Sequence, residues 1–167
     1  MDHNYLRRNY LEMGIKFCKA GNWDQSAQML EAGRDECERL GLQDMLTVAI
    51  LCNLAVVYQR QGLSNEIEAL LLKSMFITKR FYAETHLSVV TLSRLLADHY
   101  YDQKLLSEAR QLYKRALAGA SMRKEERINC LIRLAAIENA NHRCSTAEAL
   151  CREVCELSYG KAIGYST

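Results

Sequence analysis

One order of side-chain sizes recurs four times along the chain, and it limits the possible folds more than composition does. In NLAVVYQRQG, residues 53–62, the large apolar Leu54 stands beside the small Ala55. Tyr58 follows three residues after Ala55, and Gly62 closes the run. The same order appears upstream as Met13, Gly14, Phe17 and Gly21. Downstream it appears as Leu96, Ala97 and Tyr100, with Lys104 where the glycine would stand. A worn fourth copy is Leu134, Ala135, Glu138 and His142. The small residues fall at 14, 55, 97 and 135, at intervals of 41, 42 and 38. A small residue lets paired helices approach closely, and the larger neighbours fill the groove between them.

The spaces between these copies are helical too. Apolar residues recur at helical spacing, with polar breaks near 21–24, 41–44, 62–65, 83–86, 103–107, 119–122 and 141–145. Seven breaks predict eight helices of roughly 14–19 residues, joined too tightly for anything but antiparallel neighbours. The chain has no proline, which suits helices with short turns. The second helix of each pair repeats as well. Ser26, Ile67, Ala109 and Ala147 share one slot, and Leu30, Leu71, Tyr113 and Cys151 share another four residues on. Asp24, Asn65, Ser107 and Ser145 stand in register at the entry to these helices and are expected to be their N-caps.

This pattern resembles the tetratricopeptide repeat over about residues 8–158. The period near 41 exceeds the usual one of about 34, and the family's proline is missing throughout. The copy HLSVVTLSRLLADHY is similar to the long-repeat subgroup typified by kinesin light chains, with His86, Val89, Leu96, Ala97 and Tyr100 in place. Leu87 replaces that subgroup's proline, and Arg94 and Leu95 its asparagine pair. Bacterial proteins use this subtype too, so the likeness points to the repeat type and not to a motor subunit. It implies an all-α, right-handed α-solenoid superhelix of four antiparallel helix pairs, forming a single domain over 1–167. The expected repeats are 7–41, 45–82, 87–120 and 124–158, with 159–167 as a C-terminal tail.

Composition narrows function further. Hydrophobic residues at 49% and charged residues at 25% are the balance of a globular protein. A net charge of +2 gives no reason to expect nucleic acid or an anionic membrane as partner. No apolar run approaches the roughly 18 residues that span a bilayer. The N-terminus lacks the apolar core of a signal peptide. Seven scattered cysteines fit free thiols in a reducing compartment, so a cytoplasmic location is expected.

Few residues suggest chemistry. His142, Cys144, Cys151 and Cys155 lie close in sequence, and thiolates bind zinc. No short Cys-x-x-Cys pair is present, however, and the three cysteines fill slots that are apolar in other copies. They are expected to be small buried hydrophobes, with no metal and no cofactor. His99 follows Asp98, but adjacent helical residues point about 100° apart, and no nucleophile is placed beside them. The glycines are helix-turn glycines, and MRKEERINCLIR is expected to be a solvated face.

The resemblance therefore implies a non-catalytic protein-interaction scaffold that holds a peptide or helical segment of a partner in the concave groove. The first helices line that groove. The candidate positions are Arg8, Leu11 and Ile15 in the first copy and Asn53, Val56 and Arg60 in the second. Arg94, Asp98 and Tyr101 follow in the third, and Arg133 in the fourth. In peptide-binding relatives an asparagine at the slot of Asn53 bonds the ligand backbone with its donor and its acceptor. Arg60 and Arg94 are expected to pair acidic ligand groups, and Tyr101 to anchor an apolar one. A carboxylate-clamp relative would need lysine and asparagine where Leu11 and Ile15 stand, so chaperone-tail binding is disfavoured. The alternative reading is a structural homo-oligomer, self-associating through exposed terminal helices. Ala149, Leu150, Val154 and Leu157 spread over more than one narrow stripe, which would leave an apolar edge or mark a segment of something longer.

Overall fold

The computed structural model describes residues 2–119 and 122–160; most of the expected tail, 161–167, lies outside them. The described residues form eight α-helices and no strand. They are α1 (His3–Lys19), α2 (Trp23–Arg39), α3 (Met45–Gln61), α4 (Ser64–Lys79), α5 (Leu87–Asp102), α6 (Leu106–Leu117), α7 (Lys124–Ala140) and α8 (Cys144–Tyr159). Seven of them span 16 or 17 residues; α6, with 12, is shorter than the apolar pattern suggests. The chain divides between Tyr82 and Ala83 into two compact units, α1–α4 and α5–α8.

In the first unit α1 packs on α2, α3 on α4, and α3 lies against both α1 and α2. The small residue works as its slot predicts. A Cβ on Gly14 would stand 2.6 Å from Leu30 Cγ, and the Ser26 hydroxyl donates to the Gly14 carbonyl at 2.8 Å. The Leu30 side chain of α2 therefore fills the space that a side chain at 14 would take, with the small Ser26 beside it. One turn further along α2, Ile50 of α3 covers Gly33. In the second unit α5 pairs with α6, α7 with α8, and α6 meets α7. Ala97, Ala109, Tyr113, Cys130, Leu134 and Ile137 form its core.

The turns inside each pair are one device used four times. The amides of Asn22, Leu63, Leu105 and Arg143 each reach back to Phe17, Tyr58, Tyr100 and Glu138 at 2.9 Å, closing a Schellman turn. The residue before each of those amides is left-handed: Gly21, Gly62, Lys104 and His142, at φ 76°, 76°, 64° and 58°. Lys104 and His142 thus hold the glycine conformation at a cost of about 1 kcal/mol each.

The N-cap expectation for the second helices is wrong by two residues. The caps are Asn22, Leu63, Leu105 and Arg143, and none of them makes a side-chain cap bond. Asp24, Asn65, Ser107 and Ser145 are in register, but each is the second helical residue. The Schellman turn leads straight into the next helix, so the chain turns helical before these side chains can cap it. Side-chain caps appear instead on first helices. Asp2 caps α1, His86 caps α5, and Asp44 caps α3 by accepting from Thr47 N–H at 2.8 Å.

Candidate functional site

The solvent-facing positions of the first helices are described within each unit. On α1, Arg8 is exposed, while Leu11 and Ile15 are half-buried. On α3, Asn53 and Val56 are half-buried and Arg60 is exposed. The Asn53 amide donates to the Ala49 carbonyl one turn back at 2.8 Å, so one of its donors is already engaged in its own helix. The Arg60 guanidinium sits 5.9 Å from the Trp23 ring centroid, within cation–π range.

The second unit brings four predicted residues into one cluster. On α5, Arg94 donates to Asp98 Oδ2 at 2.9 Å, and its other terminal nitrogen lies 3.8 Å from Glu126 of α7. Asp98 Oδ1 accepts from the Tyr113 hydroxyl at 2.6 Å and lies 3.5 Å from Arg133 Nε. Arg133 donates to Asp102 at 3.2 Å and lays its guanidinium 4.9 Å from the Tyr101 ring centroid. Tyr101 meets Tyr113 edge-on at 6.5 Å. Helical spacing explains the assembly: 94, 98 and 101 share one face of α5, and Arg133 faces them from α7.

Electrostatics and burial keep the hydroxyl and thiol protons of this cluster in place. Burial, and then the Asp98 carboxylate, push the Tyr113 phenol far above its ordinary value, so it stays protonated and donates. Burial likewise pushes the Cys130 thiol up to about 12, with the Asp98 charge adding to it. A thiol held protonated is a poor nucleophile. Arg94 and Arg133 already have carboxylate partners inside the protein.

Several charge pairings escaped the sequence reading. Arg7 is 1% exposed and forks onto Asp44 at 2.8 and 3.1 Å. It joins α1 to the cap of α3. Asp44 is held at about 2 chiefly by the Arg7 hydrogen bond, against the opposing effect of burial. Glu138, in the slot of Phe17, Tyr58 and Tyr100, is fully buried. Arg110 donates to it at 2.8 Å, with Lys114 at 3.6 Å and Arg143 at 3.5 Å. Burial raises its pKa, but these cations prevail and hold it below the usual carboxylate range. Nor is MRKEERINCLIR simply a solvated face: Arg127 is half-buried, bonding the Leu117 carbonyl at 3.1 Å and Glu153 at 2.8 Å.

The cysteine expectation fails at the last pair. Cys144, Cys151 and Cys155 are exposed, not core. They border an open hollow of about 680 Å³ on α7 and α8, together with Ile132, Ala136 and Val154. Only the slot of Cys151 is apolar in every other copy, since Cys144 shares its slot with Ser64 and Cys155 with Arg34, and among the described residues no helix covers the three cysteines. Among those residues, no three His, Cys, Asp or Glu side chains gather as a metal site.

Helix pairs, repeated Schellman turns and a conserved internal register define an all-α repeat protein. Residues 46–121 match the tetratricopeptide repeat family model, and that stretch is a tetratricopeptide-repeat array. Similar solved structures extend the fold over the whole chain. The structure of BtubC (BKLC) from P. vanneervenii covers 100% of this chain and 68% of its own, at 19% identity and a TM-score of 0.89. A Podosopora anserina kinesin light chain structure of nearly identical TPR-like repeats covers 96% and 79%, at 22% identity and a TM-score of 0.79. MamA AMB-1 covers 96% of each chain, at 16% identity and a TM-score of 0.56. Comparison with curated protein sequences gives no match. Repeats of this family generally mediate protein–protein interaction and are generally non-catalytic. No helix among the described residues is long and apolar enough to cross a membrane.

Proposed function

We propose that the chain is a non-catalytic scaffold that binds a peptide or helical segment of a partner protein along its first helices. One observation carries this reading: Arg94, Asp98, Tyr101 and Arg133 form a cluster that is fixed by its own hydrogen bonds yet only half-buried. Fixed donors and an aromatic face lose little freedom when a ligand arrives, so binding is not offset by ordering. Arg133 and Tyr101 supply the outward contacts, and Asp98 orients both arginines. Asn53, Val56 and Arg60 offer a second set of contacts in the first unit, and Arg8, Leu11 and Ile15 a third.

The test is affinity capture from the source cell's lysate, read by mass spectrometry. Wild type is compared with a Tyr101→Ala, Arg133→Gln variant of unchanged helicity. A protein held by wild type and lost from the variant supports the reading. Equal recovery by both contradicts it. Self-association through the terminal helices is the second reading, favoured by the open apolar hollow on α7 and α8.

A further inference from the structure

The outer face of α4 departs from the repeat. Leu72 and Phe76, one turn apart, are 47% and 64% exposed. At the slot of Leu72 the other second helices carry Glu31, Lys114 and Arg152, and at that of Phe76 they carry Asp35, Ala118 and Glu156. Two large apolar side chains thus stand in water where the equivalent positions are charged or small. Beside them lies a hollow of about 290 Å³, bordered by Asn65, Ala69, Leu70 and Lys73 of α4 and by Arg34 of α2. Ala69, which carries only a methyl group, leaves that space open. The face therefore has both a projecting aromatic ring and a recess that can take one.

The charges of α4 are two-sided in the same way. At 100° per residue Leu72 and Phe76 centre the outer face, with Glu68 and Lys79 on one flank and Glu66 and Arg80 on the other. Both acids lie in the first half of the helix and both cations at its end. An antiparallel second α4 reverses that order. Glu66 then comes level with Arg80 of the other copy, Glu68 with Lys79, and Ala69 with Phe76; the midpoints are 73, 73.5 and 72.5. Three pairs of different chemistry share one centre, so a single two-fold axis beside residue 73 satisfies each of them twice. Lys73, next to that axis, is paired with Glu38 of α2 at 2.8 Å, which offsets the meeting of two lysines there. Arg80 is oriented by Gln43, to which it donates at 2.6 Å. A parallel pairing would set Glu66 and Arg80 beside their own copies, like against like.

We propose that α4 pairs antiparallel with α4 of a second copy of this chain, with Phe76 of each copy seated in the hollow at Ala69 of the other. The face supplies every complement it needs, as a two-fold interface must. Residues 161–167 do not fit it, since they carry no acidic side chain to meet Lys79 and Arg80. One helix-on-helix contact lies at the low end of specific interfaces, about 1,000 Å² in total, so the dimer is reversible, with a Kd on the order of 10 µM. The inference uses neither the groove cluster nor the α7–α8 hollow and does not depend on either.

Sedimentation equilibrium of the full chain tests it, with the helicity of each variant checked by circular dichroism. Wild type passes from monomer to dimer mass between about 1 and 300 µM. Phe76→Ser raises the Kd about tenfold or more. Glu66→Lys with Glu68→Lys in one variant, and Lys79→Glu with Arg80→Glu in another, each stay monomeric, because each gives the whole face one sign. An equimolar mixture of those two variants forms a heterodimer, since each supplies the charges that the other lacks. Val154→Arg, on the α7–α8 hollow, dimerises as wild type does. Three results overturn the proposal: a wild-type monomer across the range, which would leave the α4 face to a different protein; a wild-type dimer that Phe76→Ser or the charge variants leave intact, or that Val154→Arg abolishes, which would place the contact elsewhere; or charge variants that remain monomeric when mixed, which would rule out the antiparallel register.

Discussion

Leu30 and Cys151 hold the same place in the first and last helix pairs, yet one is completely buried and the other is open to solvent. The slots around them differ in the same way: Gly33 is buried beneath α3, whereas Val154 borders a hollow. The repeat register therefore fixes where a side chain points. Whether that position is core or surface depends on the next helix. A slot's energetic worth is a property of its neighbour as much as of its residue.

The comparison is broken most forcefully by truncation. Leu30→Ala should cost about 3 kcal/mol, through lost burial and a cavity beside Gly14, whereas Cys151→Ala should change stability by less than about 0.5 kcal/mol. Urea unfolding of the two variants measures the contrast, and equal losses would show the last face to be closed. Next in size is the close approach at the small-residue slot. Gly14→Ala should destabilise by about 2 kcal/mol, because its Cβ would stand 2.6 Å from Leu30. The equivalent positions 55, 97 and 135 already carry alanine, so the reverse change there should open space and not strain it.

A smaller effect separates the pairs by pH. The folded state holds Asp44 at about 2, below its ordinary value. Its contribution is thus complete above about pH 4 and is lost as pH falls toward 2. The carboxylate is 44% exposed, so screening reduces the contribution to about 1 kcal/mol. Asp44→Asn should flatten the stability profile in that window, as followed by unfolding at stepped pH. Smallest is the gain at the turns: Lys104→Gly and His142→Gly should each stabilise by about 0.5 kcal/mol, by relieving left-handed backbone at a worn glycine slot. The same substitution at a right-handed cap such as Gln103 should destabilise instead.

The helices, their pairing and their breaks were legible because apolar spacing and turn residues are local signals. The likeness of 14, 55, 97 and 135 was legible for the same reason. The N-cap assignment failed because register reveals equivalence but not role: Asp24, Asn65, Ser107 and Ser145 are equivalent, but lie inside the first turn. Arg7 was missed because a lone charge in an amphipathic pattern reads as surface until its partner from another helix is known; Glu138 was placed in the aromatic slot, but its cations Arg110, Lys114 and Arg143 were not legible there. Asp44 did carry a signal, an aspartate three residues before Thr47 at a helix start. The candidate groove residues were read from family spacing alone. That spacing could not reveal that Arg94 and Arg133 pair with Asp98, Glu126 and Asp102 inside the protein.

The central claim is that one packing plan repeats and that coverage decides the strength of each copy. Native-state hydrogen exchange read helix by helix tests it most directly, since exchange reports local opening. The account predicts that amides along α8 exchange faster than those along α2, whose face is closed by α3, and those along α6, which meets α7. Protection of α8 equal to that of α2 would contradict it.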